Sequence, residues 1–124
     1  MKIKESAENY LESILMIEQK KGSVRSIDVA NDLGFTKASV SVAMKNLRED
    51  GYIEVDAGGE ITLTEKGKKI ASQMYERHQI IAKALIMLGV DEETAYEDSC
   101  KIEHDISETS FERIKEFLNT HSNI

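Results

Sequence analysis

The sequence predicts a mainly α-helical protein in which three helices are followed by a β-hairpin and then by three more helices. Apolar residues recur at helical spacing up to about residue 50, where the pattern changes to two short alternating runs. The helical period returns at about Thr64 and continues towards the end of the chain. No proline interrupts these patterns, and 124 residues amount to about one domain.

The first two helices are short and end at glycines. The stretch "SAENYLESILMIEQK", residues 6–20, is amphipathic, with Ser6 as the expected N-cap and Gly22 after its end. The stretch "SIDVANDLG" predicts a second helix that Ser26 caps and Gly34 ends.

The third helix lies in "FTKASVSVAMKNLREDG", with Thr36 as the expected cap. Val40, Met44 and Leu47 form its buried stripe, at spacings of four and three residues. Gly51 stands where a left-handed residue ends a helix.

The two alternating runs, "YIEV" and "EITLT", flank the Gly-rich turn "DAGG" and predict a β-hairpin. Three helices and a hairpin in this order are typical of a winged helix-turn-helix. The turn "LGFT" between the second and third helices is short and contains glycine, as that motif requires. We predict that residues 1–63 form this domain.

A long helix is predicted from about Thr64 to Leu88, and a continuous apolar stripe makes it a natural dimer seam. The stripe positions are Ile70, Met74, His78, Ile81, Leu85 and Leu88.

Two further helices complete a predicted second domain of residues 64–124. The stretch "GVDEETAYEDSCKIEHDI" forms one, capped by Asp91, and "ETSFERIKEFL" forms the other, capped by Ser107. The buried stripe of the last helix is expected at Phe111, Ile114 and either Phe117 or Leu118.

The charge is distributed unequally along the chain, whose net charge is −7. Residues 1–70 hold 11 Lys and Arg against 12 Asp and Glu, whereas residues 71–124 hold 5 against 11. Because the acidity lies mainly in the second half, a DNA-facing surface on the first half is compatible with the composition.

The composition also predicts where the protein works. No apolar run is long enough to span a bilayer, and "MKIKESAENY" lacks the apolar block of a secretion signal. The single cysteine excludes an internal disulfide framework and suits a reducing cytoplasm. We therefore expect a cytoplasmic protein without a membrane partner.

The third helix has the residues that a recognition helix needs near its N-terminus, because hydroxyls and lysines reach phosphates and base edges while small side chains allow close approach. Each of these residues, taken alone, is also explained as an ordinary surface residue, but the set predicts binding to double-stranded DNA. The wing "VDAGGE" has no Lys or Arg, so its own phosphate contact is expected to be weak. The candidate DNA contacts are Thr36, Lys37, Ala38, Ser39, Ser41, Lys45 and, before the second helix, Arg25, with "KGKK" at 66–69 as a further source of cations.

Cys100, Glu103 and His104 lie within five residues of one another. At roughly 100° per residue on a helix they fall inside an arc of about 100°, so all three could face one ion. A thiolate, a carboxylate and an imidazole together suit Fe(II), Mn(II), Co(II) or Zn(II) better than Ca²⁺ or Mg²⁺.

Three residues elsewhere in the sequence are further candidates. His78 occupies an apolar stripe position, which is also explained by a hydrogen-bonded core histidine. Asn9 and Glu12 share a face of the first helix, and Glu12 is also explained as a solvated carboxylate. The six candidates on three helices together favour a metal site.

The chain resembles the diphtheria toxin repressor/manganese transport regulator family of metal-dependent transcriptional repressors. The similarity lies in "ENYLESI", "VANDLGFTKASVSVAMKNLREDGYI", "LTEKGKKIA", "ERHQII", "LGVDEETAYED" and "CKIEHDIS", which span most of the chain. The C-x-x-E-H segment at this distance after "ERH" is the specific part, because winged helices occur in many other families.

The resemblance implies an N-terminal winged helix, a helical dimerisation and metal-binding domain, and a homodimer that binds palindromic operators when loaded with Fe(II) or Mn(II). Asn9 stands where the manganese type has Asp and the iron type has Met, whereas Cys100 matches the thiol of the iron type. We expect Fe(II) to be favoured over Mn(II), because a thiolate is a poor partner for the hard Mn²⁺ ion, with Zn(II), Co(II) or Ni(II) as substitutes. The implied metal ligands are Glu12, His78, Cys100, Glu103 and His104.

Two alternatives remain open at this stage. A winged-helix regulator could sense redox state through Cys100, or sense another ligand. A small metalloenzyme could use Glu103 as a base, but the sequence shows no nucleophile or Gly-rich phosphate loop. We expect a regulator without a small-molecule substrate and without enzymatic activity.

Overall fold

The computed structural model describes residues 5–121, and these contain six α-helices and one two-stranded antiparallel sheet. The predicted fold class and the order of elements are confirmed. The elements are α1 (Glu5–Lys21), α2 (Ser26–Leu33), α3 (Lys37–Glu49), β1 (Ile53–Val55), β2 (Ile61–Leu63), α4 (Glu65–Met87), α5 (Glu92–Ile102) and α6 (Glu108–His121).

The chain divides into two compact units, one ending at Ser72 and the other beginning at Gln73. This division lies inside α4, whereas the predicted domain boundary, between residues 63 and 64, lies just before that helix. The outer ends of both predicted domains, 1–4 and 122–124, lie outside the described residues. None of the helices in the described part of the chain is both long and apolar enough to cross a membrane.

The starts of the first two helices differ from the prediction. Ser6 already lies inside α1, which includes Glu5. Ser26 is the first residue of α2, and Arg25 takes the N-cap position. The reason is Asp28, whose carboxylate accepts a hydrogen bond from the Arg25 backbone N–H at 3.0 Å and so sets the start of the helix.

The start and end of α3 are as predicted. The Thr36 hydroxyl accepts a hydrogen bond from the Ser39 backbone N–H at 3.1 Å, which satisfies one free donor of the first turn. Gly51, just after the helix, has φ of 84°, a conformation that favours glycine. Gly34 ends α2 in the same way, with φ of 72°.

The core of the N-terminal unit lies where α1 packs against α2, α3 and β2. Leu11, Ile14 and Val40 are fully buried there, and each such side chain contributes about 1.5–3 kcal/mol of burial free energy. The Ile61 backbone N–H donates to the Val24 carbonyl at 2.8 Å. This bond attaches the hairpin to the segment that precedes α2.

Gly67 lies where the first turn of α4 approaches the hairpin. A Cβ added at Gly67 would lie 2.0 Å from the carbonyl oxygen of Tyr52, which is backbone and cannot rotate away. The Thr64 N–H donates to that same carbonyl at 3.1 Å, so it is held in place.

We therefore expect Gly67→Ala to destabilise the protein by about 2–3 kcal/mol, because overpacking outweighs the gain of about 1 kcal/mol in helix propensity. Urea unfolding of the full chain measures the change. Ser72→Ala, at an exposed position of the same helix, is the matched control and should be neutral or slightly stabilising. Equal stability of the two variants would contradict the proposed close approach.

The caps predicted in the C-terminal unit are confirmed. The Asp91 carboxylate accepts from the Thr94 backbone N–H at 3.0 Å, and this bond holds the pKa of Asp91 below its ordinary value. The Ser107 hydroxyl accepts from the Ser110 N–H at 3.1 Å. In α6 the buried stripe includes Leu118 and not Phe117, which is 52% exposed.

The predicted stripe of α4 is buried only in its middle. Met74, His78 and Ile81 are buried, whereas Leu88 is 81% exposed. The reason is that α4 ends at Met87 and the chain turns at Gly89, with φ of 103°, so Leu88 leaves the helical face. The exposed apolar residues Ile86, Met87 and Leu88 therefore lie together at the end of α4.

Candidate metal centre and nucleic-acid interface

The segment with Cys100, Glu103 and His104 begins in α5 and continues into a turn. The prediction that all three lie on one helix is wrong, because α5 ends at Ile102. Glu103, the C-cap, keeps helical dihedrals and its N–H still donates to the Ser99 carbonyl at 3.0 Å. His104 lies in the turn that follows.

The structure nevertheless gathers four candidate ligands within the C-terminal unit. Oε2 of Glu103 lies 3.2 Å from Nδ1 of His78, and Oε1 of Glu103 lies 3.4 Å from Nε2 of His104. Sγ of Cys100 lies 3.3 Å from Nδ1 of His78. Glu103 thus has an imidazole beside each carboxylate oxygen, and His78 lies next to both the carboxylate and the thiol.

The centre of this cluster is withdrawn from water. Glu103 is fully buried, and His78 and His104 are 8% and 7% exposed. Cys100, in contrast, is exposed. Burying a carboxylate costs free energy unless positive charge compensates it. The imidazoles or a bound cation can supply that charge.

The donor atoms of this cluster lie close together in pairs. Two ligands each ~2.1 Å from an ion and separated by a tetrahedral angle lie ~3.4 Å apart. The three pairwise separations, 3.2 to 3.4 Å, are close to this value, and direct contacts between such side chains have the same length. A thiol, two imidazoles and a carboxylate are also a suitable set for Fe(II), Co(II) or Zn(II).

Arg77 holds the turn after α5, and the sequence analysis did not single it out. Its guanidinium donates to the carbonyls of Glu103 at 3.1 Å and Ile106 at 3.0 Å, and pairs with Glu108 at 2.7 Å. These bonds position the backbone on which Glu103 and His104 stand. Its position next to His78 in the sequence, as one of few cations in the acidic second half of the chain, could have indicated this role.

His78 is oriented by a second neighbour. The ring of Tyr96 stacks on its imidazole with centroids 5.5 Å apart, and the Tyr96 hydroxyl donates to Gln79 at 3.2 Å. An aromatic ring on α5 therefore restricts the rotation of a candidate ligand on α4.

The remaining two candidates lie on α1 in the N-terminal unit. Glu12 is only 6% exposed, so the interpretation as a solvated carboxylate is wrong, and Asn9 is half-buried. Glu8, one turn before Glu12, is buried as well, and the sequence analysis did not single it out. The signal for it was the spacing of four residues between two carboxylates on an otherwise apolar face.

The candidate DNA contacts on α3 are all exposed. Thr36 uses its hydroxyl to cap the helix and also donates to Ser39 Oγ at 2.9 Å, so both hydroxyls are already oriented. Val42 is 61% exposed on the side of α3 opposite the buried stripe and was not among the predicted contacts. Positions two residues apart on a helix are separated by roughly 200°, so its place two residues after buried Val40 already indicated that Val42 lies on the outer side.

Arg25 is engaged by the wing. Its guanidinium donates to the carbonyl of Gly58 in the hairpin turn, and Asp56 in that turn accepts from the backbone N–H groups of Gly58 and Glu60, both at 2.9 Å. The side chain thus ties the wing to the start of α2, a role that the sequence analysis did not foresee.

Of the "KGKK" lysines, Lys66 is also engaged. Its ammonium donates to the Asp50 carbonyl at 3.1 Å and lies 4.3 Å from the centre of the Tyr52 ring. Lys68 and Lys69 are exposed.

The sequence matches two family models that together cover most of its length. Residues 2–59 match the model described as the iron dependent repressor, N-terminal DNA binding domain. Residues 64–123 match the model described as the iron dependent repressor, metal binding and dimerisation domain.

Two curated relatives have similar lengths. The chain is 35% identical over 113 residues to the HTH-type transcriptional regulator MntR of Lysinibacillus sphaericus (strain C3-41), covering 91% of this chain and 81% of that protein. It is 36% identical over 113 residues to the regulator of the same name from Bacillus subtilis (strain 168), covering 91% and 80%.

Solved structures show the same fold. IdeR of T. acidophilum superimposes with a TM-score of 0.81 at 25% identity, over 96% of this chain and 55% of that one. A manganese-dependent transcriptional repressor in complex with manganese gives a TM-score of 0.83 at 26% identity, over 91% and 52%. This chain therefore spans about half of these two proteins.

Proposed function

Because the chain belongs to the iron-dependent repressor family, whose members are metal-dependent, DNA-binding transcriptional repressors, we propose that it controls metal-ion homeostasis by binding a palindromic operator when loaded with Fe(II) or Mn(II). The observation that carries the proposal is the buried carboxylate of Glu103 between two imidazoles, with a thiol beside one of them. Burying a carboxylate costs free energy, and two helices that only pack against each other do not need one.

The ligands in this proposal are His78, Cys100, Glu103 and His104 from the C-terminal unit, joined by Glu12 and by the amide of Asn9 from α1. The burial of the Glu12 carboxylate supports its inclusion, because an acidic group withdrawn from water gains most from a nearby cation. When bound, the ion would supply positive charge to these carboxylates. If the ion binds the DNA-competent state of the protein more tightly than its other states, it would shift the population towards that state.

We favour Fe(II) over Mn(II), with Zn(II), Co(II) or Ni(II) as substitutes. The reason is the position of the Cys100 thiol, 3.3 Å from Nδ1 of His78 and therefore within the donor cluster. Thiolates prefer softer ions than Mn²⁺. Two solved relatives have names that refer to manganese, and competition between Fe(II) and Mn(II) for this protein measures its preference.

The DNA contacts in this proposal come from the exposed N-terminal part of α3, which would enter the major groove. Hydroxyls and lysines would reach phosphates and base edges, and the exposed Val42 would contact a thymine methyl group. Arg25 would act both on phosphate and through the wing. The proposed contacts are Arg25, Thr36, Lys37, Ala38, Ser39, Ser41 and Lys45, with Val42 added.

A homodimer explains the proposed symmetry of the operator, since two recognition helices ~34–36 Å apart read two half-sites. The dimerisation domain is part of the family match, and the exposed Ile86, Met87 and Leu88 offer apolar surface for a partner. The named relatives are transcriptional regulators, and we propose a non-enzymatic, cytoplasmic role for this chain as well.

The test is DNA binding to the promoter region of its own gene, measured by fluorescence anisotropy under anaerobic conditions. Fe(II) or Mn(II) should tighten binding by about 10–100-fold relative to protein in chelator, the range of ordinary allosteric coupling. A random-sequence duplex controls for non-specific binding. Identical affinity with metal and with chelator would contradict the metal switch.

A redox-sensing regulator is the second candidate, and the exposure of Cys100 beside an imidazole favours it. Peroxide treatment of metal-free protein distinguishes the two. Loss of DNA binding that a thiol reductant reverses, together with indifference to metal, would support redox sensing instead.

A further inference from the structure

A cleft of about 180 Å³ lies on the N-terminal unit between the start of α2, one flank of α3 and strand β1. This volume is equivalent to about six water molecules at ~30 Å³ each, which is room for a phosphodiester group. The residues that line it are Ser26, Ser41, Met44, Lys45, Arg48 and Val55.

The chemistry of the cleft suits an anion. Lys45 and Arg48 provide two cations, Ser26 and Ser41 provide two hydroxyls, and neither Asp nor Glu is among the lining residues. Within residues 5–121, the ion pairs involve neither of these two cations. Guanidinium, ammonium and hydroxyl groups together are a typical set for a phosphate.

The three polar residues of α3 form one row. Ser41, Lys45 and Arg48 are spaced by four and three residues, so their side chains follow each other along one flank of the helix. This row begins beside the exposed residues 36–39, which we propose to enter the major groove. A helix in that groove brings its flank close to the sugar-phosphate backbone.

The wing next to the cleft does not supply cations. Its exposed or half-buried charged side chains are Glu54, Asp56 and Glu60, and the nearby guanidinium of Arg25 is bound to the Gly58 carbonyl. A phosphate that approaches between α3 and the hairpin would therefore meet acidic side chains on the hairpin and positive charge on α3, while Arg25 keeps its charge where the wing meets the start of α2.

We propose that this cleft binds a backbone phosphate of the DNA duplex, with Arg48 and Ser26 as contacts in addition to Lys45 and Ser41. The inference rests on the proposed DNA-binding function and names the contact that replaces a basic wing. The contact carries no sequence information, so it would set position and affinity without selecting bases.

The test is the salt dependence of binding of the full-length, Mn(II)-loaded protein to a random-sequence 30-base-pair duplex. Lys45→Gln together with Arg48→Gln should reduce the slope of log K against log salt by about one for each cleft that contacts DNA. Binding at low salt should weaken about tenfold per cleft, as expected for loss of a charge-assisted contact. Lys83→Gln together with Arg113→Gln, two exposed cations of the C-terminal unit, is the charge-matched control and should change neither quantity.

The outcomes separate the two proposals. If the unmodified protein with metal binds neither this duplex nor the promoter region of its own gene, the proposed function fails; if it binds this duplex and the double variant retains the slope, only the phosphate cleft is overturned. Thermal unfolding of the metal-free protein in inorganic phosphate and in chloride of equal ionic strength tests a free anion. An increase in the midpoint that the double variant abolishes, with an unchanged DNA slope, would assign the cleft to free phosphate and overturn the DNA contact.

Discussion

Glu103→Gln is expected to weaken divalent-metal binding by about 100-fold or more and to remove metal-dependent DNA binding. Mutation of a residue that only hydrogen-bonds a metal ligand lowers metal affinity by about 10–100-fold, and loss of a ligand itself should lower it at least as much. The amide keeps the shape of the side chain and can still hydrogen-bond the imidazoles of His78 and His104. The loss would therefore reflect charge and donor strength and not a cavity. Isothermal titration with Mn(II), and with Fe(II) under anaerobic conditions, measures it.

The same substitution distinguishes a metal ligand from a structural residue through the metal-free protein. Burying a carboxylate is costly, and glutamine avoids that cost while keeping the shape of the side chain, so thermal unfolding of the Glu103→Gln variant in chelator should show a midpoint equal to or above that of the unmodified protein. Glu97→Gln, an exposed carboxylate on α5, is the control and should alter neither metal binding nor stability. A variant that unfolds earlier in chelator but binds metal normally would show that Glu103 only holds the two histidines.

Cys100→Ser is expected to weaken binding of Fe(II), Co(II) and Zn(II) by about 10–100-fold while affecting Mn(II) less. The thiolate is the soft donor of the cluster, and its replacement by a hydroxyl oxygen shifts the preference towards harder ions. Competition titrations with pairs of metals give the ratio of affinities directly. Loss of the thiolate-to-cobalt absorption in the Co(II) form gives an independent readout.

Cys100→Ala separates donation from packing at this position. Because the residue is exposed, neither substitution should change stability appreciably in chelator. Alanine removes the donor without offering an oxygen, so it should weaken all metals, whereas serine should partly restore Mn(II). An unchanged ratio of Fe(II) to Mn(II) affinity in both variants would exclude Cys100 from the ligand set.

The winged-helix pattern was predictable because its signals are local. The cap at Thr36 joins residues three apart, the stripe Val40, Met44 and Leu47 follows the helical period, and the turn between the strands contains glycine. The prediction of Ser26 as a cap was wrong for an equally local reason. The carboxylate of Asp28 accepts a hydrogen bond from the Arg25 backbone N–H, so Arg25 is the cap. The end of α5 was harder, because the residues of "CKIEH" are compatible with either a helix or a turn.

The sequence by itself determined the order of elements, most caps and the types of donor that are available, because periodicity and capping act over a few residues. Only the tertiary structure decided which donors meet. Glu103 reaches the imidazole of His78 on α4, and Arg77 reaches the carbonyl of Ile106, which lies 29 residues further along the chain. The cleft beside α3 likewise exists only where α2, α3 and β1 pack together. Burial and proximity of distant residues depend on how the helices pack, and no short stretch of sequence contains that information.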